Sequence, residues 1–250
     1  MFLRRVWTQL ANQDWPAVII ELFVVAVGIF LGLQASNWND DLAERALERG
    51  YLIRLHEDML ASATGLELDN EFLEKQLSDQ EIVLAALDSC QLAAEDELAM
   101  QRGIGTLGYL NSPRLFRRTF DELAASGRMD IIQNENIKAE LARIVAEVEW
   151  RESVMESVFR QVDYHRVRFD EQVKYDTSRP LKGSTSAVAV EFDLQLLCKL
   201  PRNAAAVSAI SLKTRERLIA FRELLGQYRT FLPLLESELE TRWSHVVERE

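Results

Sequence analysis

The chain has 250 residues, 48% hydrophobic and 28% charged, with only 10 glycines and 5 prolines. That supplies enough apolar material for a sizeable core and too few turn formers for a β-rich fold. A formal charge of −11 argues against a nucleic-acid partner, because phosphate backbones are met by concentrated Lys and Arg.

Residues 16–33 read PAVIIELFVVAVGIFLGL, with Glu21 as the one charge. Trp15 and Trp38 flank this run, roughly 34 Å apart along a helix at 1.5 Å per residue. That spacing suits a bilayer core with tryptophans at its two interfaces. The expected organisation is a cytoplasmic tail over 1–15, a transmembrane helix over 16–38 and an extracytoplasmic helical domain over 39–250. A buried core helix is the alternative, and so is a signal peptide with Arg4 and Arg5 as its n-region and Ala35 at the cleavage point. Leu33 at the small-residue position, the length and Glu21 all favour an uncleaved anchor. Arg4 and Arg5 are nearly balanced by Arg45 and Arg49 across the span. The short tail beside a long acidic domain sets the expected orientation, with the tail inside and the domain in the periplasm of a bacterial inner membrane.

Gly28 and Gly32 form G-x-x-x-G, a spacing that lets two membrane helices approach closely. Glu21, Val25, Gly28, Gly32 and Ala35 alternate in steps of four and three, so they share one helix face. A carboxyl group on that face implies contact with another helix, since lipid exposure of Glu21 is costly. Snorkelling of Glu21 to the interface is the alternative. The partners implied are the bilayer and a second copy of this chain or another membrane protein.

The run Glu21-Leu-Phe-Val-Val-Ala-Val-Gly28-Ile29, then Leu33-Gln34 and Asn37-Trp38-Asn39, resembles a bacterial family of uncharacterised single-pass membrane proteins. Thr119-Phe120-Asp121-Glu122-Leu123 followed by Ser126-Gly127 resembles a second block of that family. The resemblance implies a membrane helix and a helical outer domain, and no activity. Gly32 departs from the family pattern, where a larger residue or alanine is common.

Beyond Trp38 the apolar spacing of three and four predicts helices throughout. The first covers 39–89, with Leu47, Tyr51, Leu55 and Met59 on one stripe and Thr64-Gly65 as a kink point. A shorter piece covers 92–102, and 103–113 reads as a loop. A helix over 114–125 ends at Ser126-Gly127. Asn134 is the expected N-cap of a helix over 135–175, whose stripe includes Ile137, Leu141, Ile144, Val148, Val154, Val158 and Val162. A loop over 176–189 and a short helix over 192–200 precede a last helix over 203–247, which contains Pro233. The fold class expected is all-α: one N-terminal transmembrane helix followed by an elongated antiparallel helical bundle.

Chemistry is sparse. Gly103-Ile-Gly105-Thr-Leu-Gly108 matches G-x-G-x-x-G but lacks the preceding strand and following helix that a dinucleotide site needs. His56, His165 and His245 are far apart, and His56-Glu57-Asp58 reads as a solvated helix face. Arg114, Arg117, Arg118 and Arg128 are interleaved with Asp121, Glu122 and Asp130, a self-paired surface. No nucleophile elbow occurs, so no catalytic, cofactor or metal residue is nominated and no enzyme is expected. Cys90 and Cys198 are either a disulfide in an oxidising compartment or two buried thiols. The function expected is a membrane-anchored scaffold or accessory subunit, with a ligand-sensing bundle and an ion-coupled subunit using Glu21 as alternatives.

Overall fold

A computed structural model describes residues 15–110, 112–113, 115–181 and 188–243. Among these residues six α-helices accompany one two-stranded sheet. In chain order they are α1 (Trp15–Ser89), α2 (Glu97–Gly105, entered through a 3-10 turn at Ala94–Asp96), α3 (Arg118–Ala125) and α4 (Glu135–Asp170). There follow β1 (Val173–Pro180), β2 (Val188–Phe192), α5 (Leu194–Cys198) and α6 (Pro201–Trp243). The chain divides into two compact units, 1–50 and 51–250.

In the first unit the described residues are all helical. The long apolar N-terminal helix is a candidate membrane span: an 18-residue window of it has a mean hydropathy of 1.4 and is 0% buried. Leu47, expected on an inward stripe, is 39% exposed.

In the second unit α1 pairs with α6. Glu67–Arg229, Glu74–Arg222 and Glu81–Arg215 are ion pairs at 2.7, 2.6 and 3.2 Å. Each step of seven along α1 is matched by a step of seven back along α6, so the two helices run antiparallel with a heptad repeat. These pairs are exposed, and each contributes about 0.2–1 kcal/mol; most of the stabilisation comes from the apolar residues beneath them. Leu55, Leu66 and Leu73 of α1 pack in one cluster with Phe221, Leu225, Leu232 and Leu235 of α6 and with Ile137, Leu141 and Ile144 of α4. α4 also runs against α6 in the opposite sense, since Asn134 lies by Glu238 (Nδ2 to Oε2, 2.7 Å) and Arg151 by Glu223 (3.1 Å). Asn134 caps α4 as expected, its side chain accepting from the amides of Asn136 and Ile137. Gly127 lies at φ +66, and the amide of Arg128 reaches the carbonyl of Leu123 at 3.0 Å, a Schellman stop after α3.

The connection from α2 to α3 is tied down by polar side chains of α1. Gln76 Nε2 donates to the carbonyls of Thr106 (2.6 Å) and Tyr109 (3.1 Å). Ser62 Oγ accepts from the amide of Phe116 at 2.8 Å. Asp58 Oδ2 accepts from the amide of Thr119 at 2.8 Å. Arg117 supplies no side-chain cap to α3; a carboxylate on another helix serves instead, at the positive end of the α3 dipole. Asp58, Ser62 and Gln76 are all buried, so His56-Glu57-Asp58 is not the solvated face that its charges imply.

Three further expectations are corrected. The chain is mostly helical but not all-α: β1 and β2 form an antiparallel hairpin, pairing Val173 with Phe192 and Tyr175 with Val190, within the segment read as helix end and loop. Alternation of Val173, Tyr175, Val190 and Phe192 with charged residues gives this hairpin an inner face, and Val190 is 4% exposed in a second core cluster. The G-x-G-x-x-G run is not simply a loop, since Gly103 and Gly105 belong to α2. A Cβ on Gly103 would fall 2.6 Å from Val83 Cγ2 and 2.7 Å from the carbonyl of Asp79, whereas Gly108 holds a turn at φ +74. Pro201 begins α6 rather than merely ending the short helix before it, a position where its missing amide costs nothing.

Two stability predictions follow from these contacts. Asp58→Ala should lower the unfolding free energy by about 1–3 kcal/mol, because the α3 amide loses its partner, while Glu57→Ala, on the exposed side, should change it by under about 0.5 kcal/mol. Gly103→Ala should cost about 1–3 kcal/mol by overpacking. Gly226→Ala, whose Cβ meets nothing within 4 Å, should stabilise α6 by about 0.5–1 kcal/mol. Chemical denaturation followed by circular dichroism reads all four.

Candidate functional site

Two regions carry functional potential, one in each unit. In the first, the expected contact face is open. Val25 is 55% exposed, and Cβ atoms on Gly28 or Gly32 would meet nothing within 4 Å. Ala35 and Trp38 are exposed on the same helix. Trp15 and Glu21 are helical, but their side chains lie outside the described residues, as does the tail over 1–14.

The second region is a cleft of about 420 Å³ in the second unit, within the size range of small-molecule sites. Val148, Glu152, Met155 and Phe159 of α4 form one wall, at helical spacings that put them on a common face. Phe221 and Leu224 of α6 form the opposite wall, and Ser112, Pro113 and Leu115 from the α2–α3 connection close one end. Val154, expected on the α4 stripe, is 38% exposed: six residues after the buried Val148, it falls on a different helix face from the wall formed by Val148, Glu152, Met155 and Phe159.

Arginines surround these apolar walls. Arg151 lines the cleft and is held by Glu147 (2.6 Å) and Glu223 (3.1 Å). Arg117 is held by Glu149 (3.1 Å), Asp121 (3.4 Å) and Glu152 (3.5 Å), which turns the expected self-paired surface toward α4. Arg217 is different. It is 6% exposed, its Nη1 lies 3.1 Å from Met155 Sδ, and its Cζ sits 4.7 Å over the Phe221 ring. Met155 and Phe221 both line the cleft, so this guanidinium lies directly behind the wall. Its Nε and Nη2 are buried without a hydrogen-bond partner. Burial pushes its pKa down to about 10, against the opposing effect of the Asp69 charge; it is still a cation at neutral pH.

Sequence reading passed over Arg217. The one available signal is its position four before Phe221 and seven before Leu224, on the inward stripe of α6. Other titratable groups are structural. His56 is buried with Nε2 3.4 Å from Glu236, and His165 packs edge-on against Tyr164. His245 lies outside the described residues. Hydrogen bonds from Tyr51 and then Arg54 hold the Glu122 carboxyl below its usual range, so the resemblance block around 119–123 serves to dock α3 on α1. Among the described residues no group of three or more His, Cys, Asp or Glu is placed to hold a metal.

In comparison with known proteins, the chain matches no family model, no curated protein and no solved structure.

Cys90 and Cys198 are joined, with Cα atoms 5.7 Å apart and a sequence separation of 108. Cys90 follows the last residue of α1 at φ +52, where helices usually place glycine. Cys198→Ala should therefore lower stability by up to about 4–5 kcal/mol, the loop-closure ceiling for so long a loop. Cys90→Gly should cost about 1 kcal/mol less than Cys90→Ala, because glycine accepts positive φ without strain. Denaturant unfolding of each variant, with and without reductant, checks both numbers.

Proposed function

We propose that this chain is a single-pass bacterial inner-membrane scaffold or accessory subunit. Its tail would lie in the cytoplasm and its outer unit, an elongated antiparallel bundle, in the periplasm. The observation that supports this reading is the open apolar helix surface. Ile20, Leu22, Phe23, Phe30 and Leu33 are each about 60% exposed or more, and each would contribute about 1.5–3 kcal/mol on removal from water. Among the described residues nothing covers them, which supports a lipid environment and a partner helix. Glu21, Val25, Gly28, Gly32 and Ala35 form the contact face, with Trp15 and Trp38 as interfacial anchors. The resemblance to the uncharacterised single-pass family is part of the same proposal. No catalytic role is proposed.

A second reading, a ligand-binding module outside the cytoplasm, is favoured by the cleft beside Arg217. The two readings are compatible.

The assembly reading is tested by energy transfer between labelled full-length chains in lipid vesicles, together with mass determination of complexes extracted from native membranes. Self-association or a defined partner should appear, and Gly28→Leu/Gly32→Leu should weaken it at least about tenfold. A wild-type chain that is strictly monomeric in bilayers and without a partner would overturn the proposal.

A further inference from the structure

We propose that the outward face of α6 docks against the same face of a second copy of this chain, the two helices running parallel. This deepens the assembly reading and rests on it, adding a contact in the second unit. Along α6 a given environment recurs every seven residues, as the ion pairs to α1 show. Leu212, Ile219, Gly226 and Pro233 share one such line, and all four are exposed. Leu212 and Ile219 are 54% and 51% accessible, and a Cβ on Gly226 would meet nothing within 4 Å. An apolar outer line is not the rule in this unit: Glu57, Thr64, Glu71 and Ser78 occupy an exposed line of the same spacing on α1.

Charge decides both the occupant and its direction. Arg215, Arg222 and Arg229 border the line on the α1 side, where they meet Glu81, Glu74 and Glu67. Glu216 and Glu223 border it on the other side, since Glu223 reaches Arg151 of α4. The face is therefore basic along one border and acidic along the other. In a parallel pair, with a two-fold axis along the helices, the basic border of each copy meets the acidic border of its mate. Arg215 then lies level with Glu216 of the partner subunit, and Arg222 with Glu223 of the partner subunit, on both seams. An antiparallel pair would set arginines against arginines and glutamates against glutamates, an arrangement that like charges oppose.

These side chains can serve two contacts at once. Arg215 and Arg222 reach α1 through Nη2, and a guanidinium carries further N–H donors. All four side chains of the matched pairs are more than half accessible, at 59% and 56% for the arginines and 53% and 60% for the glutamates. A parallel pair also leaves the N-terminal ends of both second units on one side, as two chains anchored in one bilayer require. The apolar line is short, and anchoring raises the effective concentration of the faces it brings together.

The test uses the full chain in lipid vesicles with one added cysteine, the native pair being already joined. Ser208 and Ser237 extend the outward line and are exposed. Ser208→Cys and Ser237→Cys should each cross-link to their own kind through a short bismaleimide, and not to each other when mixed. Ser78→Cys, on the polar line of α1, should not cross-link. In the Ser208→Cys background, Glu216→Arg/Glu223→Arg and Arg215→Glu/Arg222→Glu should each weaken association at least about tenfold. Mixing those two variants should restore it, because both seams become complementary again. Cross-linking only between Ser208→Cys and Ser237→Cys chains would overturn the parallel pairing, and charge reversals without effect would overturn the matched borders. If energy transfer between labelled chains persists while neither serine variant cross-links, the α6 face is overturned and the assembly reading stands. If transfer is absent and no partner is found, both fall.

Discussion

The second unit depends on one arrangement: α1 presents buried polar side chains to a stretch of chain that cannot satisfy its own backbone. The described residues among 106–117 lie outside helix and strand, yet several of them pack against helices. Buried amides and carbonyls without partners cost about as much as lost hydrogen bonds. Gln76, Ser62 and Asp58 meet these groups in order along the helix. Their spacing is that of α1 itself, so the helix sets the register of the segment laid along it. That segment in turn places Ser112, Pro113 and Leu115 at the end of the cleft and holds Arg117 beside α4. Without this row the connection would have no fixed path, and the cleft no end wall.

Most helices were legible from the sequence because their signals are local and repetitive. The stripe from Leu218 to Leu239 is buried as its spacing implies, Asn134 caps α4, and Gly127 ends α3. What escaped reading is what depends on distant partners. Asp58 looks like any surface carboxylate until the α3 terminus arrives sixty-one positions later. β1 carries apolar side chains only at Val173 and Tyr175 before Asp176, Thr177, Ser178 and Arg179 dilute the pattern, and the hairpin is stabilised by the second core cluster rather than by its own propensity. Gly103 resembles part of a phosphate loop, although its lack of a side chain serves the close approach of α2 to Val83.

The candidate site was the least legible part. The apolar helix carrying Gly28 and Gly32 can be read from sequence because so long an uninterrupted apolar run shows in composition alone. The cleft cannot, since it arises where two otherwise regular stripes part and leave Met155 and Phe159 facing Phe221 across a gap. Arg217 is the clearest conflict between local pattern and burial in the second unit: a cation on an inward stripe, with an aromatic ring and a thioether beside it. Such conflicts concentrate at functional sites, because a chain optimised only for stability would place an apolar residue there.

The bond between Cys90 and Cys198 has a mechanical meaning. It makes residues 90–198 a covalent ring, with α1 leaving from one junction and the turn into α6 from the other. A pull applied between the N-terminal segment and the C-terminal helix passes from α1 through sulfur to Cys198 and on into α6, leaving α5 unloaded. The load bypasses α2, α3, α4 and the hairpin, whose backbone lies on the unloaded arc. The wall that α4 gives the cleft is thus shielded from direct backbone tension, whereas the α6 wall lies on the loaded path.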